Sequence, residues 1–306
     1  MKIFLTGGNG MVGQNILEHP KAQKHEIFSP SSAELDLLGC DTVQPFIEAV
    51  KPDLIIHAAG IVGGIQANIV QPVNFMVGNI QIGLNILMAA KACGVKNFMN
   101  LGSSCMYPRD AINPLSEDLI LKGELEPTNE GYAIAKVAST RLCEYINRED
   151  ESHLYKTVIP CNLYGRHDHF DLEYSHMIPA VIRKINDAKD QNLEFVDIWG
   201  DGLARREFMY AADFADFIYY AIDHFKTLPQ NINVGLGHDY TINEYYQKIA
   251  NVVGYQGKFI HDLSRPSGMR QKLIDNAKLK VFGWHPQTSL EQGIHKTYKY
   301  FLREIK

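Results

Sequence analysis

The chain has 306 residues, of which 45% are hydrophobic and 21% are charged, with a formal net charge of -5. This balance gives no general electrostatic attraction to nucleic acid or to an anionic membrane. The five cysteines are scattered, with neither a CxxC pair nor zinc-site spacing, so we expect reduced thiols and no metal site. With neither a signal-peptide pattern nor an apolar run expected to span a bilayer, the sequence predicts a cytoplasmic globular protein.

Short apolar runs alternate with longer amphipathic segments through the first half of the chain. Runs typical of strands cover residues 2–6, 25–29, 53–59, 97–103 and 155–160. Helical patterns lie between them, at residues 11–18, 40–50, 72–93 and 129–148. This rhythm predicts an α/β fold with a doubly wound parallel sheet of the Rossmann type, in which ligands bind at the carboxyl ends of the strands.

The rhythm loosens after about residue 165. Strands are predicted there at residues 194–200, 205–210 and 231–235, and helices at 176–188, 211–224 and 290–305. No repeat or Pro-rich linker separates the two halves. We therefore expect a dinucleotide-binding domain at residues 1–165 and a smaller substrate-binding lobe at residues 166–306, with some elements interleaved between them.

A glycine-rich loop, "FLTGGNGMVG", follows the first predicted strand and opens a helix. Glycines at positions 7, 10 and 13 allow a tight turn, a close approach of pyrophosphate to the backbone, and packing of the helix on the strand. The free N–H groups at the helix start favour phosphate. We therefore expect a dinucleotide at Gly7, Gly10, Met11, Val12 and Gly13.

The identity of the dinucleotide depends on the end of the second strand, which reads "FSPSSAELD". An NAD-selective site usually has an Asp or Glu at this position, where it binds the adenosine ribose. Serines replace that acid here, so the sequence favours NADP(H). Because no arginine stands nearby, Ser29, Ser31 and Ser32, helped by Asn9, would have to bind the 2′-phosphate.

Tyr132 and Lys136 lie four residues apart at the start of a predicted helix, and so on one face. A lysine ammonium near a tyrosine is expected to lower the pKa of the phenol and make it a better acid-base catalyst. Ser103, at the end of the fourth predicted strand, would hydrogen-bond the substrate oxygen. Together with the glycine loop, these residues identify a short-chain dehydrogenase/reductase of the extended type.

Several further blocks narrow the resemblance. They include "VGGIQAN", "LGSSCMYP", "EPTNEGYAIAK", "NLYGRHDHF", "SHMIPAVIRK" and "RREF". In order and spacing they resemble the GDP-L-fucose synthase family over nearly the full chain. The resemblance implies a two-stage reaction on GDP-4-keto-6-deoxy-D-mannose, in which epimerisation at C3 and C5 is followed by reduction of the C4 ketone with NADPH.

The resemblance also implies a role for each catalytic residue. Tyr132 would protonate the C4 oxygen, Lys136 would tune it, and Ser103 would polarise the carbonyl. Cys105 matches the family's epimerisation base, and His176 matches the acid on the opposite face. The enolate formed in the first stage would use the same hydroxyl donors that assist the reduction.

The remaining predicted contacts belong to the cofactor and to the substrate. The further cofactor contacts are Asp36, Leu37, Ala58, Ala59, Lys136, Asn162 and Leu163. The predicted substrate contacts are Ser104, Asn162, His176, Lys184, Trp199, Arg206 and Lys272. By the same resemblance, Arg206 and Lys272 match the family's phosphate and sugar contacts, as expected for a substrate that carries a diphosphate. Because this superfamily commonly pairs through a four-helix bundle, the helices at 72–93 and 129–148 are expected to form a homodimer.

Three other functions remain compatible with the sequence. The first is a C4-ketoreductase on a related GDP-sugar, such as a 6-deoxy-4-keto heptose, which would keep Cys105 and His176 without using both. The second is a 4,6-dehydratase or UDP-sugar 4-epimerase, which recycles a tightly held NAD. The third is a nucleotide-binding regulator without catalysis, against which the complete set of Ser103, Tyr132 and Lys136 argues.

Overall fold

The computed structural model describes residues 1–172, 175–265 and 268–306, and the backbone alone at position 40. Its main sheet has six strands, all paired in parallel. Their spatial order is β2 (Glu26–Phe28), β1 (Lys2–Thr6), β3 (Leu54–His57), β4 (Asn97–Leu101), β5 (Leu154–Pro160) and β10 (Asn231–Val234). The chain passes from β1 outward to β2 and then back to β3 on the other side of β1. This reversal creates the crevice where doubly wound sheets bind their ligands.

Both faces of the sheet are buried, because successive strand residues point to opposite sides. In β1, Ile3 and Leu5 belong to one apolar cluster and Phe4 belongs to another. The first cluster includes residues of α1 (Met11–Glu18) and α7 (Ala211–Asp223). The second cluster includes residues of α2 (Cys40–Val50), α4 (Pro72–Ala92) and α5 (Glu130–Glu149). Helices therefore cover the sheet on both sides, which confirms the predicted doubly wound α/β fold.

The smaller lobe has its own core. Its described elements are β6 (Asn162–Tyr164), α6 (Met177–Asp190), β7 (Phe195–Trp199), β8 (Arg205–Arg206), β9 (Phe208–Tyr210), β11 (Tyr240–Thr241), α8 (Ile242–Val253), β12 (Lys258–Asp262), β13 (Gln271–Lys272) and α10 (Leu290–Glu304). Residues of α6, α8 and α10, among them Ile182, Ile249 and Phe301, pack into one apolar cluster. Two further short helices are α3 (Ile65–Val70), before α4, and α9 (Ala277–Phe282).

Some elements from the second half of the sequence belong to the main sheet and its covering helices. Although it comes late in the sequence, β10 pairs with β5 in the main sheet, and α7 packs on α1. The run at 205–210, which the sequence predicts as one strand, is broken at Glu207 into two strands that belong to different sheets. One part, β8, pairs with β11 and β13, whereas β9 pairs with β6.

Helix α4 is apolar along much of its length. Within the described ranges it is the one helix that is long and apolar enough to cross a membrane, contrary to the expectation from the sequence, and 50% of its most apolar stretch is buried inside the protein. Helices of this composition also occur in the cores of soluble proteins. Its buried side packs on α5 and on the sheet.

Candidate active site

A cavity of about 650 Å³ opens at the carboxyl edge of the main sheet and reaches into the smaller lobe. All of the predicted catalytic residues line it, as do all of the predicted substrate contacts: Ser103, Ser104, Cys105, Tyr132, Lys136, Asn162, His176, Lys184, Trp199, Arg206 and Lys272. The structure thus brings together residues of α5, β6, α6, β7, β8 and β13 and of the segments that follow β4 and precede α6, which lie far apart in the chain.

The glycine loop between β1 and α1 is closely packed. A Cβ at Gly7, where φ is +73°, would lie 2.7 Å from the backbone N of Ala59. At Gly13 a Cβ would lie 2.2 Å from the carbonyl oxygen of Gly7. Helix α1 has no side-chain cap at Gly10, so its first N–H groups are left for a ligand. The loop therefore fits a pyrophosphate, and the neighbouring residues Met11, Val12, Ala58 and Leu163 line the cavity.

In the segment after β2, one of the three serines expected to bind a phosphate has its donors engaged within the protein. The N–H and the Oγ–H of Ser31 both donate to Glu34 Oε2, each at 2.8 Å. These two hydrogen bonds lower the pKa of Glu34. Asp36 and Leu37 follow in the same segment, where the Asp36 carboxylate accepts the N–H of Leu38 at 2.9 Å. Both donors of Ser31 are thus engaged by Glu34. The sequence analysis did not single out this acid.

Ser103 follows β4 and caps a short 3-10 turn at Ser104–Met106. Its Oγ accepts the backbone N–H of Cys105 at 3.4 Å and the Cys105 thiol at 2.7 Å. The turn folds the chain back on itself, so the hydroxyl and the thiol lie side by side in the cavity wall. The cysteine is buried, with 6% of its surface exposed.

Tyr132 and Lys136 occupy adjacent turns at the start of α5, with the ammonium 5.7 Å from the centre of the tyrosine ring. Lys136 Nζ donates to the Leu101 carbonyl at the end of β4, at 2.9 Å. Burial lowers the pKa of Lys136 to about 8. Burial raises the pKa of Tyr132, as does the neighbouring Cys105, whereas a hydrogen bond with Ser103 lowers it. The predicted lowering of the Tyr132 pKa by Lys136 is therefore not found, because burial of the phenol dominates.

His176 precedes α6 and lines the cavity. Burial lowers its pKa, and the positive charges of His169 and Lys272 add to this effect. The lowered pKa favours the neutral imidazole.

Two cations lie in register on adjacent strands of the smaller lobe. Lys272 in β13 lies opposite Arg206 in β8, its partner in the parallel register of the two strands. Burial lowers the pKa of both side chains, and for Lys272 the charge of Arg206 adds to the effect. Glu126 acts on both in the opposite direction. Glu126 lines the cavity and is the first residue of the block "EPTNEGYAIAK". Nothing in the sequence around it indicates that it interacts with the two cations.

The cavity is also lined by Lys184 and Trp199. Lys184 Nζ pairs with the Asp197 carboxylate at 2.7 Å, which ties α6 to β7. The guanidinium of Arg265 lies over the Trp199 ring, 4.9 Å from its centre. Near the centre of the cavity, Asn162 Nδ2 donates to the backbone carbonyl of Glu207 at 2.9 Å.

Other polar side chains line the cavity that sequence reasoning did not single out. They are Gln66, Asn68, Thr128, Asn129, Ser175, Asp197 and Tyr246. Among the described residues, no group of three or more His, Cys, Asp or Glu side chains converges on a metal position. The four cysteines whose side chains are described are free thiols.

A glycine loop after β1 and a Ser–Tyr–Lys set on one cavity define a dinucleotide-dependent reductase of the short-chain class. Residues 3–235 match the model of the NAD dependent epimerase/dehydratase family. The chain belongs to this family.

Relatives within that family match almost end to end. The chain is 60% identical to a GDP-L-colitose synthase of Yersinia pseudotuberculosis, with 99% of each chain covered. It is 46% identical to a GDP-L-fucose synthase of Azorhizobium caulinodans, with 98% and 96% covered. Among solved structures, a GDP-mannoheptose C4 reductase of Campylobacter jejuni with NADP bound matches at a TM-score of 0.88 and 30% identity, with 98% of each chain covered. The resemblance to GDP-L-fucose synthases is thereby confirmed.

The contact between Gly13 and Gly7 predicts a strong effect of a single methyl group. In Gly13→Ala the new Cβ collides with backbone, which costs about 1–3 kcal/mol or more and displaces the phosphate-binding loop. Gly39→Ala is the matched control, because Gly39 lies outside the loop and the atom nearest to its Cβ, Thr42 Oγ1, would be 3.5 Å away, an ordinary contact. Urea unfolding and NADPH titration measure both effects. Equal stability and cofactor affinity in the two variants would contradict this reading of the loop.

The burial of Lys136 predicts a pH-dependent stability. Its pKa is about 8 in the folded protein and 10.5 when unfolded, so the unfolded chain binds more protons between these values. Stability of the wild type relative to Lys136→Met should therefore rise by about 3 kcal/mol from pH 8 to 10.5. Denaturant unfolding of the cofactor-free proteins across this range measures the difference. A difference that is constant with pH, or that falls, would show that the ammonium is solvated.

Proposed function

We propose that the protein is an NADP(H)-dependent GDP-sugar epimerase/reductase that converts GDP-4-keto-6-deoxy-D-mannose to GDP-L-fucose. One observation carries the proposal. Cys105 and Ser103 are hydrogen-bonded to each other beside Tyr132, in the cavity that also holds His176 and a pair of cations. A plain ketoreductase needs the hydroxyl groups, but it has no use for a thiol hydrogen-bonded to Ser103 and an imidazole in the same cavity.

The first stage is proton exchange next to the ketone. The Cys105 thiolate removes the proton at C3 or C5, and the enolate oxygen that forms accepts hydrogen bonds from Ser103 and Tyr132. The positive charges of Lys136 and Lys272 interact favourably with this thiolate. His176 returns a proton on the opposite face of the sugar, which inverts the carbon.

Protonation of His176 is coupled to substrate binding. Lys272 is one of the charges that lower the pKa of this imidazole. A diphosphate on Lys272 and Arg206 offsets those charges and so favours the protonated imidazole, which can donate. The acid is thus formed when the substrate is in place.

The second stage is reduction of C4. Held at the glycine loop of Gly7, Gly10 and Gly13, NADPH would supply the hydride for this carbon. Tyr132 gives its phenolic proton to the C4 oxygen, and its raised pKa keeps that proton in place at neutral pH. Lys136 lies 5.7 Å from the centre of the Tyr132 ring, and its hydrogen bond to the Leu101 carbonyl holds the start of α5, and with it Tyr132, beside the end of β4.

Two related substrates are the alternatives. The name of the relative that is 60% identical points to colitose, a 3,6-dideoxy sugar, for which C5 alone would be inverted. The solved C4 reductase of a GDP-mannoheptose supports reduction without epimerisation. We also propose that the enzyme works in the cytoplasm and supplies surface-polysaccharide synthesis, the ordinary use of such activated sugars.

Reaction in D₂O separates these possibilities. With NADPH and GDP-4-keto-6-deoxy-D-mannose, the product is expected to carry deuterium at C3 and C5 and the L-configuration at C5. The 3-deoxy analogue and a GDP-6-deoxy-4-keto-heptose complete the substrate panel, and NADH tests the cofactor preference. Net consumption of NADPH also excludes a 4,6-dehydratase or UDP-sugar 4-epimerase. Reduction without any deuterium at C3 or C5 would refute the epimerase.

Two variants assign the stages. Cys105→Ser is expected to stop the exchange and spare reduction of a substrate that is already epimerised. Tyr132→Phe should lower the rate of reduction by about 10²–10⁴-fold and leave NADPH binding intact. Unchanged reduction in Tyr132→Phe would remove the proton-donor role and favour a different acid.

We further propose a homodimer through a four-helix bundle formed by α4 and α5 of two copies. One side of α4 is apolar and exposed: the exposed fractions are 72% for Val73, 47% for Val77, 48% for Leu84 and 43% for Met88. Burying such a stripe on a second copy would remove apolar surface from water and explain why a membrane-like composition occurs in this helix.

Charge on this stripe should prevent association. The double variant Val73→Glu with Val77→Glu is expected to sediment as a monomer, because four buried carboxylates would face each other in the dimer. Val281→Glu, at a site that is 91% exposed and away from the two helices, is the control and should stay dimeric. Sedimentation velocity measures both. A monomeric wild type at micromolar concentration would contradict the dimer.

A further inference from the structure

Glu207 lies at the point where the run "RREFMY" breaks into β8 and β9. It is almost fully buried, with 1% of its surface exposed, and it has no direct contact with the cavity. The mechanism above does not use it. A buried carboxylate is costly unless hydrogen bonds compensate its charge, so its partners show what it does.

Three backbone N–H groups from two other segments donate to this carboxylate. The N–H groups of Leu236 and Gly237 donate to Oε1 at 2.5 and 2.8 Å, and that of Ile274 donates to Oε2 at 3.1 Å. The first segment continues directly from β10 of the main sheet. The second follows β13, which carries Lys272. Burial raises the pKa of Glu207 to about 7, and the three N–H groups oppose this rise.

The carboxylate therefore joins the main sheet to the phosphate-binding strands. The backbone carbonyl of Glu207 also accepts Asn162 Nδ2. The two cations proposed to bind the diphosphate are therefore both close in the chain to this carboxylate or its partners. Arg206 directly precedes Glu207, and Lys272 is two residues from Ile274, whose N–H donates to Glu207.

Gly235 provides the space that this arrangement needs. A Cβ at this position would lie 2.5 Å from Glu207 Oε1 and 2.9 Å from its carboxyl carbon. The glycine in "INVG" is therefore required by the carboxylate and by the close approach of the two segments. This observation is independent of the hydrogen bonds and points to the same fixed geometry.

We infer that Glu207 is a positioning residue that sets the spacing of Arg206 and Lys272 relative to the sheet, and thereby the affinity for the nucleoside diphosphate part of the substrate. The inference rests on the proposed function, because it assumes that these two cations bind a diphosphate. It assigns no chemistry to Glu207 itself.

Glu207→Gln tests the inference. A carboxamide has one acceptor oxygen and an NH₂ group, so it cannot accept all three N–H donors, and at least one donor is left unpaired. We expect the Kd for GDP and the KM for the GDP-sugar to rise about ten-fold, the equivalent of one disturbed buried hydrogen bond. The kcat should change much less, and the Kd for NADPH should stay the same. Calorimetry with GDP and steady-state kinetics measure these values.

Glu117→Gln is the matched control. Glu117 is also buried, its Oε1 accepts the N–H of Asn233 in β10 at 2.9 Å, and its Oε2 pairs with Lys278 at 3.2 Å. It connects no segment that carries a substrate contact, so its loss should lower the stability and leave the Kd for GDP unchanged. Gly235→Ala displaces the Glu207 carboxylate by steric contact and should weaken GDP binding in the same way. If Glu207→Gln does not fold, Gly235→Ala is the variant that tests the inference.

The outcomes separate the inference from the proposed function. If the wild type binds GDP and the folded Glu207→Gln or Gly235→Ala protein binds it equally well, Glu207 is merely structural and the inference is overturned. Equal weakening of GDP binding by Glu117→Gln would overturn it as well. A wild type that neither binds GDP nor reduces a GDP-sugar would overturn the proposed function, and the inference would fall with it.

Discussion

The arrangement of the site depends on one buried hydrogen bond, from the Lys136 ammonium to the Leu101 carbonyl. It joins the start of α5 to the end of β4, so that Tyr132 and the turn of Ser103 and Cys105 meet in the same wall of the cavity. An ammonium buried in this way is costly, and its lowered pKa reflects that cost. The lysine thus positions both sides of the reaction centre and also supplies charge to it.

Burial sets the protonation states on which the chemistry depends. Burial raises the pKa of Tyr132, which keeps the phenolic proton in place, and lowers the pKa of His176, which favours the neutral imidazole. Arg206 and Lys272 bring positive charge into the same cavity, and the diphosphate proposed to bind there would offset the charge of Lys272 that lowers the pKa of His176.

How much of the fold the sequence predicts depends on how far apart in the chain the interacting residues lie. The strand and helix patterns of the first half were correct because each element buries a regular apolar face, as with Ile3 and Leu5 against Phe4. The run at 205–210 was predicted as one strand because its break is caused by distant backbone groups that hydrogen-bond Glu207. The strands β11 and β13 have two residues each, which is too short to show the alternation of apolar and polar residues by which strands are predicted.

By itself the sequence determined the glycine loop, the Tyr132–Lys136 spacing and the reactive side chains at the ends of strands, because each is a local pattern with a local physical reason. Only the tertiary structure decided which polar and charged groups interact: Glu34 with Ser31, Glu126 with Arg206 and Lys272, and Glu207 with the N–H groups after β10. It also showed that burial, and not Lys136, dominates the pKa of Tyr132. Burial and charge proximity arise from segments that are far apart in the chain, so they become visible only when the chain is folded.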